Sequence, residues 1–108
     1  MIRSLLFVIS IMLLTGHVSA QSPYDRTFKV RKSDAPFLAG PDAGAFQKGT
    51  IKKGTDGIIL RWCRDEFPFR DWAFGGRSKH LKLLNERVCE VSVDGRIGFM
   101  NGRDLKPE

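Results

Sequence analysis

The stretch RVCEVSVDGRIGFM, residues 87–100, constrains this chain more than any other. Two apolar runs flank Asp94-Gly95, the dipeptide favoured by a two-residue type I′ turn because both of its central residues take positive φ. Such a turn fixes register, and register decides which side chains share a face. It pairs Val93 with Arg96, Ser92 with Ile97, Val91 with Gly98, Glu90 with Phe99 and Cys89 with Met100. Cys89, Val91 and Met100 then form the core face, while Phe99 points the other way beside Glu90 and is partly exposed.

Upstream, glycines recur at short intervals from Gly40 onward with apolar runs between them, the pattern of short strands joined by turns. FKVR (28–31), APFLA (35–39), GTIKKG (49–54), GIILRWC (57–63) and the terminal hairpin predict an all-β domain of about five antiparallel strands. Helix is scarce: SKHLKLLNERV (78–88) carries Leu81 and Leu84 on one face, but it runs straight into the hairpin and is read as a loop with at most a short helical turn. One feature resists simple alternation. If Ile58 and Leu60 face the core, Cys63 falls on the opposite face from Cys89, so either a bulge lies near Trp62-Cys63 or one face assignment is wrong.

The first twenty residues have a different character. Arg3 supplies a positive head, Leu5 to Leu14 are nearly all apolar, and Val18-Ser19-Ala20 are small, as in a secretory signal peptide (1–20). A permanent N-terminal anchor is the alternative, but about 20 apolar residues are needed to span a bilayer. Removing residues 1–20 leaves 88 residues, 17 basic and 12 acidic. Residues 21–27 (QSPYDRT) read as a flexible leader and 28–107 as one small domain. Domains of this size are marginally stable unless something staples them. For an exported chain, Cys63 and Cys89 fit a disulfide better than two free thiols, and with His80 the only imidazole after residue 20 a metal site is not expected. The expected location is exported, periplasmic or secreted, with no integral membrane association after cleavage.

GTIKKG, the strand GIILRWC and VCEVSVDGRIGFMNGRDLKP (88–107) together resemble the bacterial SH3-like family, the SH3b domains of secreted and periplasmic proteins. AGPDAG (39–44) stands where that family carries its glycine-proline loop. The resemblance covers roughly residues 28–107 and implies a small open SH3-like β-barrel. Some periplasmic members pair cysteines at the positions of Cys63 and Cys89. Two departures stand out: Asp104 precedes the terminal Leu105 where an aromatic is common, and about twenty extra residues separate the cysteines, making a long inserted loop. Phe99 keeps an aromatic where the family usually has tryptophan.

Nucleophilic catalysis needs a nucleophile, a base and a group that orients the base. Here both thiols are expected to be paired, His80 reads as a surface residue in a basic loop, and Asp65-Glu66 as solvated acids. No catalytic residues and no cofactor are therefore expected, and GGRSK (75–79) completes no phosphate-binding pattern. The basic excess attracts anionic partners such as acidic glycans or phosphorylated head groups; nucleic acid suits the charge but not the export signal. The other handle is Phe67, Phe69, Trp72 and Phe74, four aromatics within eight residues. Most of them are expected to close an open barrel end, with some left for a partner. The candidate ligand-binding residues are Arg70, Trp72, Phe74, Arg77, Phe99 and Asp42. The family resemblance implies a non-enzymatic module for cell-wall (peptidoglycan) peptide or glycan, or for an envelope protein. The alternative is a secreted inhibitor or adhesin that uses the aromatic and basic loop 64–87.

Overall fold

The turn at Asp94-Gly95 forms with φ of 51° and 82°, and the hairpin around it pairs every residue as the turn dictates. This is seen in a computed structural model of the chain, which describes residues 22–108. The signal-peptide reading of residues 1–20 lies outside the described residues. Seven strands are present among the described residues: β1 (Thr27–Val30), β2 (Ala35–Leu38), β3 (Gln47–Ile51), β4 (Ile58–Cys63), β5 (Val88–Val93), β6 (Arg96–Asn101) and β7 (Leu105–Pro107). They make one antiparallel sheet in the order β3-β2-β6-β5-β4-β1-β7. The fold is mostly β, with seven strands rather than about five, and the sheet is not closed: β3 and β7 are its edges.

The sheet bends around a single core. Ile51 on one edge strand and Leu105 on the other belong to the same buried cluster as Phe28, Phe37, Leu60 and Met100. Each large apolar side chain buried this way contributes about 1.5–3 kcal/mol. Alternation along β5 is strict, with Cys89, Val91 and Val93 buried and the residues between them half-buried. In β4 it breaks once. Ile58, Leu60 and Cys63 are all buried, and the register with β5 shifts between Leu60 and Trp62. That bulge is the physical answer to the alternation problem: one extra residue returns Cys63 to the core face, opposite Cys89. The two cysteines form a disulfide across paired positions. Such bonds persist in oxidising compartments.

Between the cysteines the expected loop is instead a pair of helices, α1 (Phe69–Phe74) and α2 (Arg77–Asn85). Leu83 and Leu84 of α2 are buried and Leu81 is half-buried, so tertiary contact sustains a helix whose local sequence signal is weak. The end of α2 is held by Arg87. Its guanidinium donates to the carbonyl oxygens of Leu83, Asp65 and Glu66 at 2.8, 2.8 and 3.0 Å and covers the Phe67 ring at 4.7 Å. A cation among the last carbonyls of a helix is favourably placed against the helix dipole. Residues 22–27, expected to be a flexible leader, are ordered as well: Pro23–Asp25 form a 3₁₀ turn capped by Ser22, Pro23 is buried, and Thr27 opens β1. No helix among the described residues is long and apolar enough to cross a membrane.

Candidate functional site

The four clustered aromatics divide evenly. Phe67 and Trp72 are buried, with ring centroids 5.1 Å apart, and Trp72 reaches Phe28 of β1 at 6.4 Å. Phe69 and Phe74 remain 62% and 81% exposed. Trp72 is 1% exposed and so is a core residue rather than a ligand contact. His80, expected at the surface, is half-buried against it. Arg70 and Phe74 meet around a shallow depression of about 270 Å³ shared with Lys79. Arg77, exposed at the start of α2, does not line that depression.

The remaining two candidates lie on the outer face of the sheet. Successive strand pairings put Gln47, Leu38, Phe99, Glu90 and Trp62 in one row across five strands. The next row contains Ile97, Ser92, Ile59 and Thr27. Side chains directly opposite one another on a sheet face touch, and the two aromatics of the first row meet edge to face across Glu90, centroids 6.3 Å apart and planes at 89°. Trp62, Ile59 and Ile97 are 44%, 47% and 38% exposed, so this face offers water an apolar surface. Glu90 is engaged by Arg61 at 3.6 Å.

Beside these rows lies a groove of about 350 Å³ whose walls include Pro36, Leu38, Pro41, Gln47, Val88 and Asn101. Asp42 lines it too, from the 39–45 connection. Its carboxylate accepts from Arg64 Nη2 at 2.8 Å, and Arg64 Nη1 donates to the Pro41 carbonyl oxygen at 3.4 Å. An ion pair this exposed adds little stability; its structural effect is to tether the 39–45 loop to the end of β4. Asp42 and Phe99 therefore serve one surface, because Leu38 both lines the groove and pairs with Phe99. Chemically, the surface suits an extended chain: flat apolar and aromatic area for side chains, with the Asn101 amide and the Gln47 side-chain oxygen at the groove wall for its backbone, the Gln47 Nε2 being held by the Gly49 carbonyl oxygen and Thr50 Oγ1.

Trp62, Leu38, Ile59 and Ile97 escaped sequence reasoning. A signal was present for Trp62, since placing the bulge on β4 puts it opposite Glu90 and next to Phe99. Among the described residues no group of three or more His, Cys, Asp or Glu side chains could hold a metal ion. Comparison of the chain with protein-family models, characterised proteins and solved structures finds no match.

Proposed function

We propose that this chain is an exported, non-enzymatic binding module of the SH3b type, an SH3-like open barrel that recognises cell-wall peptide along the outer face of its sheet. The observation that carries the reading is the pairing of exposed Trp62 with half-buried Phe99, continued by Leu38 into the adjoining groove. Exposed aromatics beside a concavity are the residue types that dominate binding energy at recognition surfaces. The barrel assignment is supported by the antiparallel strand order and by the terminal hairpin, which leads through the 3₁₀ turn Gly102–Asp104 into Leu105. The disulfide supports export.

The test is co-sedimentation of residues 21–108 with isolated cell-wall sacculi. The wild-type chain pellets with the sacculi, and the Trp62→Ser, Phe99→Ser double variant stays in the supernatant while its unfolding midpoint moves little. Equal pelleting of both, or a wild-type chain left in the supernatant at low and moderate salt, defeats the proposal.

A second reading rests on a different observation, the exposure of Phe69 and Phe74 beside Arg70 and Lys79. There the helix pair is the contact surface of a secreted inhibitor or adhesin with a protein target. Capture of an envelope or extracellular protein that is lost in Phe69→Ser, Phe74→Ser but kept in Trp62→Ser, Phe99→Ser favours this surface over the groove.

A further inference from the structure

A second cleft, of about 470 Å³, opens where the β1–β2 connection meets the end of α2 and the 3₁₀ turn after β6. Its walls are Arg31, Lys32, Ser33, Asn85, Arg103 and Asp104. Three cations converge there, and none of them forms an ion pair among the described residues. Arg31 is fixed in place by neutral acceptors instead: its Nη1 donates to Asn85 Oδ1 at 3.3 Å and to the Arg103 carbonyl oxygen at 3.4 Å. Its backbone N–H bonds the Asp104 carbonyl oxygen at 2.8 Å. Neutral acceptors orient a guanidinium without cancelling its charge, and neither bond uses Nη2. Even with Asp104 ionised, the cleft carries more positive charge than negative.

The cleft and the groove adjoin at Arg103, which lines both. Its one carboxyl group narrows the choice of anion. A phosphodiester offers three cations what they need but, with no O–H or N–H of its own, gives Asp104 nothing to accept from. The last residue of a peptide offers both a carboxylate and, two bonds away from its Cα-bound carboxyl carbon, an amide N–H. Burial works on Asp104 against the pull of Arg103 and Arg31, so its carboxyl group sits in a partly desolvated environment where a donor is worth more than in water.

We propose that this basic cleft captures the free C-terminal carboxylate of a peptide whose preceding residues lie along the outer-face groove, with Arg31 and Arg103 on the carboxylate and Asp104 accepting the last amide N–H. Lys32 adds long-range attraction from the rim. The inference rests on the groove reading and specifies which part of a peptide the groove leads to.

The test is a heteronuclear NMR titration of residues 21–108 with three probes: acetyl-Ala-Ala-Ala as the free acid, the same peptide as its carboxamide, and inorganic phosphate. The free acid moves the amides of Arg31–Ser33 and Arg103–Asp104 and binds about tenfold or more tightly than the carboxamide, the scale of a lost charge-assisted bond. Arg31→Gln removes that preference. Lys32→Gln, at an exposed side chain, weakens the free acid severalfold without changing the carboxamide, and it serves if Arg31→Gln does not fold. Equal binding of acid and carboxamide overturns the cleft assignment and leaves the groove reading intact. So does phosphate that shifts the cleft while the free acid does not. If neither peptide binds, the carboxylate assignment fails, and the fate of the groove is decided separately by the sacculus assay.

Discussion

The imidazole of His80 lies flat on the indole of Trp72, ring centroids 3.8 Å apart and planes 10° from parallel, while His80 Nε2 donates to the Trp72 carbonyl oxygen 2.7 Å away. A carbonyl oxygen can only accept, so the hydrogen bond assigns the proton to Nε2. The pair locks α1 to α2 over the end of the sheet. Trp72→Ala is therefore expected to lower the unfolding free energy by about 3–5 kcal/mol. Phe74→Ser, at an exposed ring in the same helix, is expected to change it by no more than about 0.5 kcal/mol. Urea unfolding followed by circular dichroism compares them; similar effects for the two would show that the aromatics are not divided as described.

The disulfide closes a loop spanning 26 positions. In the chain-entropy account, a loop of that size restricts the unfolded chain by about 3.5 kcal/mol. The Cys63→Ser, Cys89→Ser double variant is expected to lose stability of that order. Alkylation of the denatured, unreduced protein is expected to add no mass, and two added alkyl groups would refute the bond.

Gly102 begins the turn that carries β6 into β7. Its N–H donates to the Arg87 carbonyl oxygen at 2.7 Å, and a Cβ placed on it would collide with the carbonyl oxygen of Leu84. That neighbour is backbone at the end of α2 and cannot rotate away. Gly102→Ala is expected to cost about 1–3 kcal/mol, the usual range for overpacking. A variant as stable as wild type in thermal unfolding would mean that α2 can lift off the turn.

Asp104 gives stability a specific pH dependence. Burial raises its carboxyl pKa above the ordinary value, with the positive charges of Arg103 and Arg31 pulling the other way. The folded chain thus holds this proton more tightly than the unfolded chain, so ionisation penalises the fold. The penalty is absent below the unfolded carboxylate range, grows as pH rises through it to the folded pKa, and is complete above. Asp104→Asn should therefore be more stable than wild type at pH 7, with the advantage shrinking to nothing at about pH 3. An advantage independent of pH would assign the effect to something other than ionisation.

Some elements were legible locally and others were not. The hairpin register followed from Asp94-Gly95 alone, because a two-residue turn leaves the strands no freedom to slip. Combining that register with the alternation of Ile58 and Leu60 left either a bulge near Trp62-Cys63 or a wrong face assignment, and the register shift between Leu60 and Trp62 decides for the bulge. The helices did not follow. In residues 69–85 the apolar positions are too few to force a helix in isolation; Leu83, Leu84 and Trp72 become helical because the core beneath them rewards it. The outer-face row was half visible, with Phe99 placed correctly and Trp62 overlooked, since Trp62 faces outward only once the bulge has displaced it.

By itself, then, the sequence determined the strand-rich class and the terminal pairing, which depend on short-range geometry, and, with two cysteines, the one link they could make within the chain. Only the tertiary structure decided which of four neighbouring aromatics are core and which face water. Phe67 and Trp72 are buried by Tyr24, Phe28, His80 and Arg87, partners that come from elsewhere in the chain. Phe69 and Phe74 have no such cover. Burial is set by what folds against a residue, and no local pattern records it.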